Sequence, residues 1–182
     1  LRELGFSRVT EALGQVPGLV MVQNGSYGSV SSTFFRGGEA DHVKVLLDGV
    51  EVNQAGGSFD FSGLLLSDVE RIEVARGPAS ALYGSDAMAG VINIITRRGI
   101  GPLKASMAAR GGSYGRIEWS ADLHGGGDYT SYSFSASRME SDGILAFNNR
   151  FETTSLSGAV HLTPDEDTRI GLTGRWGDRV YH

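Results

Sequence analysis

Residues 103–182 alternate between apolar and polar side chains in five successive segments. Because neighbouring side chains of an extended strand point to opposite faces, this period of two predicts five β-strands, each with one apolar and one polar face. Each segment has about 8 to 10 residues, a length that crosses a bilayer when the strand is tilted. The predicted strands are 103–110, 116–124, 130–138, 154–163 and 169–176.

The connections between these strands are of two kinds. The segments 125–128 and 163–167 are short and turn-like, whereas 140–151 is longer. Short turns on one side and longer loops on the other are typical of outer-membrane β-barrels. A soluble antiparallel sandwich also alternates, but the predicted polar faces carry Arg, Glu, Asp and His, as a water-filled lumen allows, and we expect the apolar faces to carry no charge. We therefore favour transmembrane barrel strands, with Trp119, Tyr132 and Trp176 as candidate anchors at the lipid interface.

Composition limits the function. The chain has 21 acidic and 16 basic residues and a net charge of -5, which argues against a nucleic-acid-binding protein. It has no cysteine, which excludes thiolate metal sites and cysteine nucleophiles. No apolar run reaches the roughly 18 residues of a transmembrane helix, and no signal-peptide pattern opens the sequence. Without paired carboxylates, a nucleophile with its base or ligands at metal spacing, the sequence predicts no enzyme, no cofactor and no metal site.

Residues 1–100 have a different character. Short helix-like and strand-like segments lie between glycine-rich loops, and these segments predict a small α+β unit. A helix is expected at 7–15 with Ser7 as its N-cap, and Asp48-Gly49 predicts a hairpin turn. Further strands are expected at 19–22, 33–36, 43–47, 50–53, 70–74 and 91–96, with a second helix at 79–83. We place the domains at 1–100 and 101–182.

The segment 68–96, DVERIEVARGPASALYGSDAMAGVINIIT, resembles the closing signature of the plug domain of TonB-dependent outer-membrane receptors. Three further blocks occur in the order of that family. They are EALGQVPG at 11–18, FRG at 35–37 and HVKVLLDGV at 42–50. Within the family the sequence most resembles vitamin B12 receptors and related siderophore receptors.

The resemblance implies a plug folded inside a 22-stranded barrel in the outer membrane of a Gram-negative bacterium. It also implies energised uptake of a small ligand, such as cobalamin or a ferric siderophore, with TonB acting through an N-terminal TonB box that this sequence does not contain. The implied partners are TonB, the ligand and outer-membrane lipid, and no nucleic acid. Five strands would leave two open edges in lipid, where each unsatisfied backbone group costs several kcal/mol, so we expect a fragment. The alternative is a truncated, plug-only interaction module without transport activity.

The resemblance also implies a set of ligand-contact residues. Carried over by position, the ligand contacts are Val30, Ser32, Glu39, Gly57 and Ser58. Glu39 stands where receptors of the B12 type favour an amide, which leaves iron siderophores open. Six charged residues flank the predicted plug strands, and we expect them either to form ion pairs that seat the plug against the barrel or to be fold-stabilising or solvated charges. They are Arg36, Asp48, Glu70, Glu73, Arg76 and Arg97. The histidines His42, His124 and His161 are predicted to be lumen or loop residues and not metal ligands.

Overall fold

The computed structural model describes residues 5–25, 28–35, 38–54, 57–67, 69–84, 86–144, 150–165 and 167–181. The chain divides into two compact units, Leu1–Thr96 and Arg97–His182. Strands predominate over helices in the described residues of both units. Within those residues, no helix combines the length and the apolar character that crossing a membrane requires.

The first unit is a small α+β domain. Its elements are α1 (Val9–Leu13), β1 (Leu19–Gln23), β2 (Ser31–Phe35), a 3₁₀ helix (Ala40–His42), β3 (Val43–Leu47), β4 (Val50–Glu51), β5 (Val69–Arg76), α2 (Ser80–Tyr83) and β6 (Gly90–Thr96). Strands β1 and β2 form an antiparallel pair. The other four strands form one sheet in the order β4-β3-β6-β5.

The two central strands of this sheet, β3 and β6, carry the core. They run parallel to each other, and both are nearly continuous apolar runs, as expected for strands that are covered on both faces. Val43, Val45, Ile92 and Ile94 are each at most 1% exposed. They belong to one cluster with Phe61, which lies in the loop between β4 and β5. The loop between β4 and β5 is therefore anchored in the core of the sheet through Phe61.

The turn between β3 and β4 has the predicted hairpin geometry. Asp48 and Gly49 both have positive φ, at 52° and 85°, which fits a type I′ turn. Strand β4 is nevertheless only two residues long, shorter than the predicted 50–53.

Helix α1 is shorter than predicted and is capped differently. It spans Val9–Leu13, and Arg8, not Ser7, is its N-cap. The Glu11 carboxylate accepts hydrogen bonds from the backbone N–H groups of Ser7, at 2.8 Å, and Arg8, at 3.2 Å. The N–H of the N-cap residue and that of the residue before it are thus satisfied by an acidic side chain from within the helix, and the N–H of Val9 donates to the carbonyl oxygen of Leu64 at 3.0 Å.

The second unit is a five-stranded antiparallel sheet in which each strand pairs with the next along the chain. The strands are β7 (Lys104–Gly111), β8 (Ile117–Gly126), β9 (Thr130–Ser141), β10 (Phe151–Leu162) and β11 (Ile170–Tyr181). The number of strands in the described residues confirms the prediction. The last three are 12 residues long, longer than expected.

Directly paired residues of an antiparallel sheet lie on the same face, so the register defines the two faces of the second unit. One face, which we call the apolar face, contains a row formed by Met107, Ala121, Ala136, Leu156 and Trp176. The opposite, polar face contains a row formed by Ser106, Asp122, Ser135, Ser157 and Arg175. These assignments agree with the alternation of the sequence.

The expectation that the apolar face carries no charge is wrong. Arg138, Glu140, Glu152 and Asp178 alternate in step with Ala136 and its row, so they share its face. All four lie at the end of the sheet that leads to the connection 142–150. The three acidic residues fall outside the predicted strands, which were too short at this end of the sheet.

Candidate functional site

Asp60 joins two of the loops predicted to contact a ligand. Its Oδ1 accepts a hydrogen bond from the backbone N–H of Ser31 at 3.0 Å. The N–H of Phe61 donates to the carbonyl oxygen of Ser31, also at 3.0 Å. The segment 30–32 therefore lies beside the segment 57–61.

Asn53 connects the same loop to the four-stranded sheet. Its Nδ2 donates to the carbonyl oxygen of Val43 at 3.0 Å and to that of Gly57 at 3.5 Å. Val43 directly follows the 3₁₀ helix 40–42, whose N-cap is Glu39. One amide side chain therefore holds the loop of Gly57 close to the turn of Glu39.

The structure thus links the three segments that carry the predicted ligand contacts. Val30 is 41% exposed and Glu39 is also exposed, whereas Ser32, Gly57 and Ser58 are half-buried. An exposed carboxylate next to small residues leaves room for a bulky ligand to approach the backbone. Contact with a ligand by these five residues stays a prediction.

The turn at Glu39 carries a group that sequence spacing did not single out. Ligand atoms of Glu39, Asp41 and His42 lie within 4.8 Å of one another, close enough to hold a metal ion. However, His42 Nδ1 accepts a hydrogen bond from the Glu39 N–H at 3.3 Å, and its Nε2 lies 3.9 Å from Asp41 Oδ1. A metal would have to displace these contacts. The spacing E-x-D-H is the only sequence signal for the group, and it is a weak one.

Asp48, one of the residues predicted to form plug–barrel ion pairs, is bound within the first unit. Its Oδ1 accepts the backbone N–H of Thr96 at 2.8 Å, and its Oδ2 accepts the Thr96 hydroxyl at 2.7 Å. These bonds fasten the β3–β4 turn to the end of β6.

Glu70 and Glu73 have a partner on their own strand. Arg71 lies between them, with Nε 2.9 Å from Glu73 Oε1 and Nη1 3.2 Å from Glu70 Oε1. The hydrogen bond from Arg71 is the main cause that lowers the pKa of Glu73, and the same bond raises the pKa of Arg71. All three side chains are about half exposed. Their role in seating a plug against a barrel stays a prediction.

The remaining predicted ion-pair residues are placed differently. Arg76 donates through Nη1 to the carbonyl oxygen of Pro17 at 2.9 Å. Arg97 is the first residue of the second unit. Arg36 lies outside the described residues.

The other two histidines lie on strands of the second unit. His124 pairs with Ser133, and His161 pairs with Ser131. Both therefore share the polar face with Asp122 and its row, as a lumen residue would.

Residues 1–91 match the family of the TonB-dependent Receptor Plug Domain. The chain belongs to this family. The matched range contains all of the first unit up to the start of β6. TonB-dependent receptors are outer-membrane proteins of Gram-negative bacteria, which places this chain in that membrane.

Solved structures extend the similarity to the second unit. The siderophore receptor PirA from Acinetobacter baumannii matches with a TM-score of 0.77 and 19% identity, over 96% of this chain and 29% of that one. The copper transporter OprC matches with a TM-score of 0.78 and 26% identity, over 96% and 28%. The pyoverdine receptor FpvA from Pseudomonas aeruginosa PAO1 gives 0.79 and 16%, over 96% and 26%.

These similarities confirm the fold class, a plug domain followed by antiparallel barrel strands. The chain spans less than a third of the length of each of the three proteins. They are two receptors and a transporter, which agrees with the prediction of a non-enzyme. Their names concern siderophores and copper, so they do not support the narrower likeness to vitamin B12 receptors.

Proposed function

We propose that the chain is the N-terminal part of a longer TonB-dependent receptor, which takes up a scarce metal-bearing ligand of the siderophore or vitamin B12 type into the periplasm. The observation that carries this proposal is the succession of the two units along the chain. A plug domain is followed directly by a sheet with one apolar face, and a siderophore receptor matches 96% of the chain with a TM-score of 0.77.

The ligand would first meet the linked surface of the segments 30–32, 39–42 and 57–58. Asp60 and Asn53 hold these segments together with three hydrogen bonds of 3.0 to 3.5 Å. Pre-arranged loops bind with a smaller loss of conformational entropy than loops that order on binding. The exposed carboxylates of Glu39 and Asp41 beside His42 are chemically suited to a metal-bearing ligand.

TonB would supply the energy for release of the ligand into the periplasm. No P-loop occurs in the sequence, so the chain itself offers no sign of ATP use. The partner would act through a TonB box upstream of residue 1.

Uptake by intact cells tests the proposal. Cells that carry the intact receptor are given radiolabelled ferric siderophores, cobalamin or copper, with and without TonB. We expect one ligand class to accumulate only when TonB is present. Accumulation that is equal without TonB, or no accumulation of any of these ligands, would contradict the proposal.

Two variants test the ligand surface within the same assay. Glu39→Ala should weaken binding of the transported ligand at an unchanged amount of receptor in the membrane, because it removes both the carboxylate and the polar side chain. Glu51→Ala is a matched control, because Glu51 is an exposed carboxylate of the same domain that pairs with Lys44 at 2.8 Å. Equal binding by both variants would remove Glu39 from the site.

Cell fractionation separates the receptor from the alternative, a plug-only module. Recovery with the outer membrane supports the receptor. Recovery in the periplasm without detergent would favour a soluble module that does not transport.

A further inference from the structure

The backbone at the start of α1 is paired with the loop between β4 and β5. Two hydrogen bonds, of 2.9 and 3.0 Å, join the segments 7–9 and 64–66. Arg8 and Leu65 lie opposite each other in this antiparallel bridge, and they are only 4% and 2% exposed. We call the paired segments 7–9 and 64–66 the latch.

The same loop holds a predicted ligand segment at its other end. Asp60 and Phe61 form hydrogen bonds with the backbone of Ser31, both at 3.0 Å. Ser62 fixes Asp60, because its N–H and its hydroxyl each donate to the carboxylate at 2.9 Å. The N–H of Leu64 donates to the carbonyl oxygen of Phe61 at 3.1 Å. A short series of hydrogen bonds therefore connects the latch to the ligand segment of Ser31.

Apolar packing connects the same parts of the first unit. Val9 and Leu13 of α1 belong to one buried cluster with Phe61, and each of the three is at most 1% exposed. Helix α1 is packed more openly against the sheet. A groove of about 240 Å³ lies between the helix and Ile72 and Val74 of β5, and dispersion contacts are lost across such a gap. Withdrawal of α1 would therefore uncover Phe61 more readily than it would separate the strands.

The latch is a weaker connection than the sheet. Its two segments share one bridge, whereas β3 and β6 pair at five positions and β5 and β6 pair at seven. Parts of a protein that are held by few bonds open at a lower free energy than its core strands. A pull from upstream of residue 1, which the proposed function assigns to TonB, would reach the latch before it reaches any strand of the sheet.

We propose that opening of the latch frees Asp60 and thereby loosens the ligand segment of Ser31, while the four-stranded sheet stays paired. Asp60 is then a positioning residue, which acts on the ligand through Ser31. This inference rests on the proposed function, because the pull on residues 7–9 comes from TonB.

A reversible crosslink tests the proposal in the intact receptor. Residues 8 and 65 form a non-hydrogen-bonded pair, whose Cα atoms lie about 4.5 Å apart, within the range that a disulfide spans. The chain has no cysteine, so Arg8→Cys with Leu65→Cys places one defined crosslink across the latch. Ala75→Cys with Val91→Cys is the matched control, because these residues pair across β5 and β6 and their crosslink closes the sheet.

Both double variants are compared oxidised and reduced, with radiolabelled ferric siderophores, cobalamin and copper as probes. We expect the oxidised latch variant to bind its probe but to lose TonB-dependent accumulation, and we expect reductant to restore accumulation. The control should accumulate the probe equally in both states. Normal accumulation by the oxidised latch variant, or an equal loss in the oxidised control, would overturn the proposal. If the unmodified receptor accumulates no probe, it is the proposed function that fails.

Amide exchange of the intact receptor gives a second measurement, which needs neither ligand nor TonB. The crosslinked latch should slow exchange at the Ser31 and Phe61 amides by about tenfold, and the amides of β6 should keep their rates. Leu13→Ala widens the groove beside α1 and should speed exchange at the same two amides. This variant decides the proposal if the latch variant fails to fold, as judged by the heat-dependent shift of the barrel on a gel. Exchange at Ser31 and Phe61 that neither change affects, or that changes equally in β6, would overturn the proposal.

Discussion

The bonds between Asp48 and Thr96 predict a measurable energetic link between the β3–β4 turn and the end of β6. Thr96 is only 8% exposed, so loss of the carboxylate would leave its N–H and hydroxyl without their partner. Asp48 has a φ of 52°, which glycine and asparagine tolerate and most other residues do not. Asp48→Gly therefore removes both bonds and keeps the turn.

The size of the effect follows from the two bonds. A hydrogen bond to a charged group contributes about 1.5 to 3 kcal/mol, and the partial exposure of Asp48 reduces that contribution through solvent screening. We expect Asp48→Gly to cost about 2 to 3 kcal/mol in local stability. Asp48→Asn can still accept and donate to Thr96 as a neutral group, so we expect a loss of about 1 kcal/mol.

Hydrogen–deuterium exchange measured on the intact receptor can resolve this difference. A loss of 2 to 3 kcal/mol corresponds to exchange at the Thr96 amide that is about 30- to 150-fold faster. Amides of β8 and β9 serve as the internal control and should keep their rates. Unchanged exchange at Thr96 in Asp48→Gly, or an equal acceleration throughout β8 and β9, would refute the reasoning.

Three further predictions concern other parts of the chain. A Cβ added to Gly90 would lie 2.7 Å from a backbone oxygen and 3.0 Å from the ring of Phe35, so Gly90→Ala should destabilise the plug sheet by about 1 to 3 kcal/mol, measured as faster amide exchange in β6. The lowered pKa of Glu73 means that its bond with Arg71 stabilises the folded chain above the ordinary glutamate pKa. That contribution is lost as the pH falls through the lowered pKa, so amide exchange in β5 should become faster in acid. This acid-dependent change in exchange should be absent in Glu73→Gln. Both tryptophans lie on the apolar face, so lipids with brominated acyl chains should quench their fluorescence and aqueous iodide should not. The measurement uses an intact receptor whose other tryptophans have been replaced. Quenching by iodide and not by the brominated lipids would contradict a lipid-facing surface.

Periodicity was sufficient to predict the faces of the second unit but not the ends of its strands. The alternation of apolar side chains stops at Ala136 and Leu156, whereas the backbone ladder continues to Ser141 and Phe151. Hydrogen bonding between backbones does not require apolar side chains, so a strand can continue where its side chains become charged. Arg138, Glu140 and Glu152 lie in this continuation, and the apolar pattern gave no sign that these charged side chains share the apolar face.

The arrangement of the plug loops depended on bonds between residues distant in sequence. Asp60 binds Ser31, which lies 29 positions away, and Asn53 binds Val43, which lies 10 positions away. Each loop taken alone reads as an ordinary polar turn. The resemblance to the family indicated which residues to consider, but only the structure shows that hydrogen bonds connect the segments that contain them. The start of α1 was mispredicted for a local reason, because Arg8 is the N-cap and its N–H is bound by the side chain of Glu11, whereas Ser7 was expected to cap the helix.

Burial decides between the barrel strands and the soluble sandwich that the alternation had left open. A soluble sandwich buries the apolar faces of its two sheets against each other and leaves its polar faces exposed. The second unit shows the opposite distribution. On the apolar face Met107 is 88% exposed and Leu172 is 78% exposed, whereas on the polar face Ser137 is 2% exposed and Asp122 is 7% exposed. The buried Asp122 is satisfied by hydroxyl groups, since Ser135 donates to it at 3.1 Å and Ser106 at 3.3 Å. Exposed apolar side chains and buried polar ones that are satisfied suit a sheet whose outer face meets lipid, and the same distribution in water would favour aggregation.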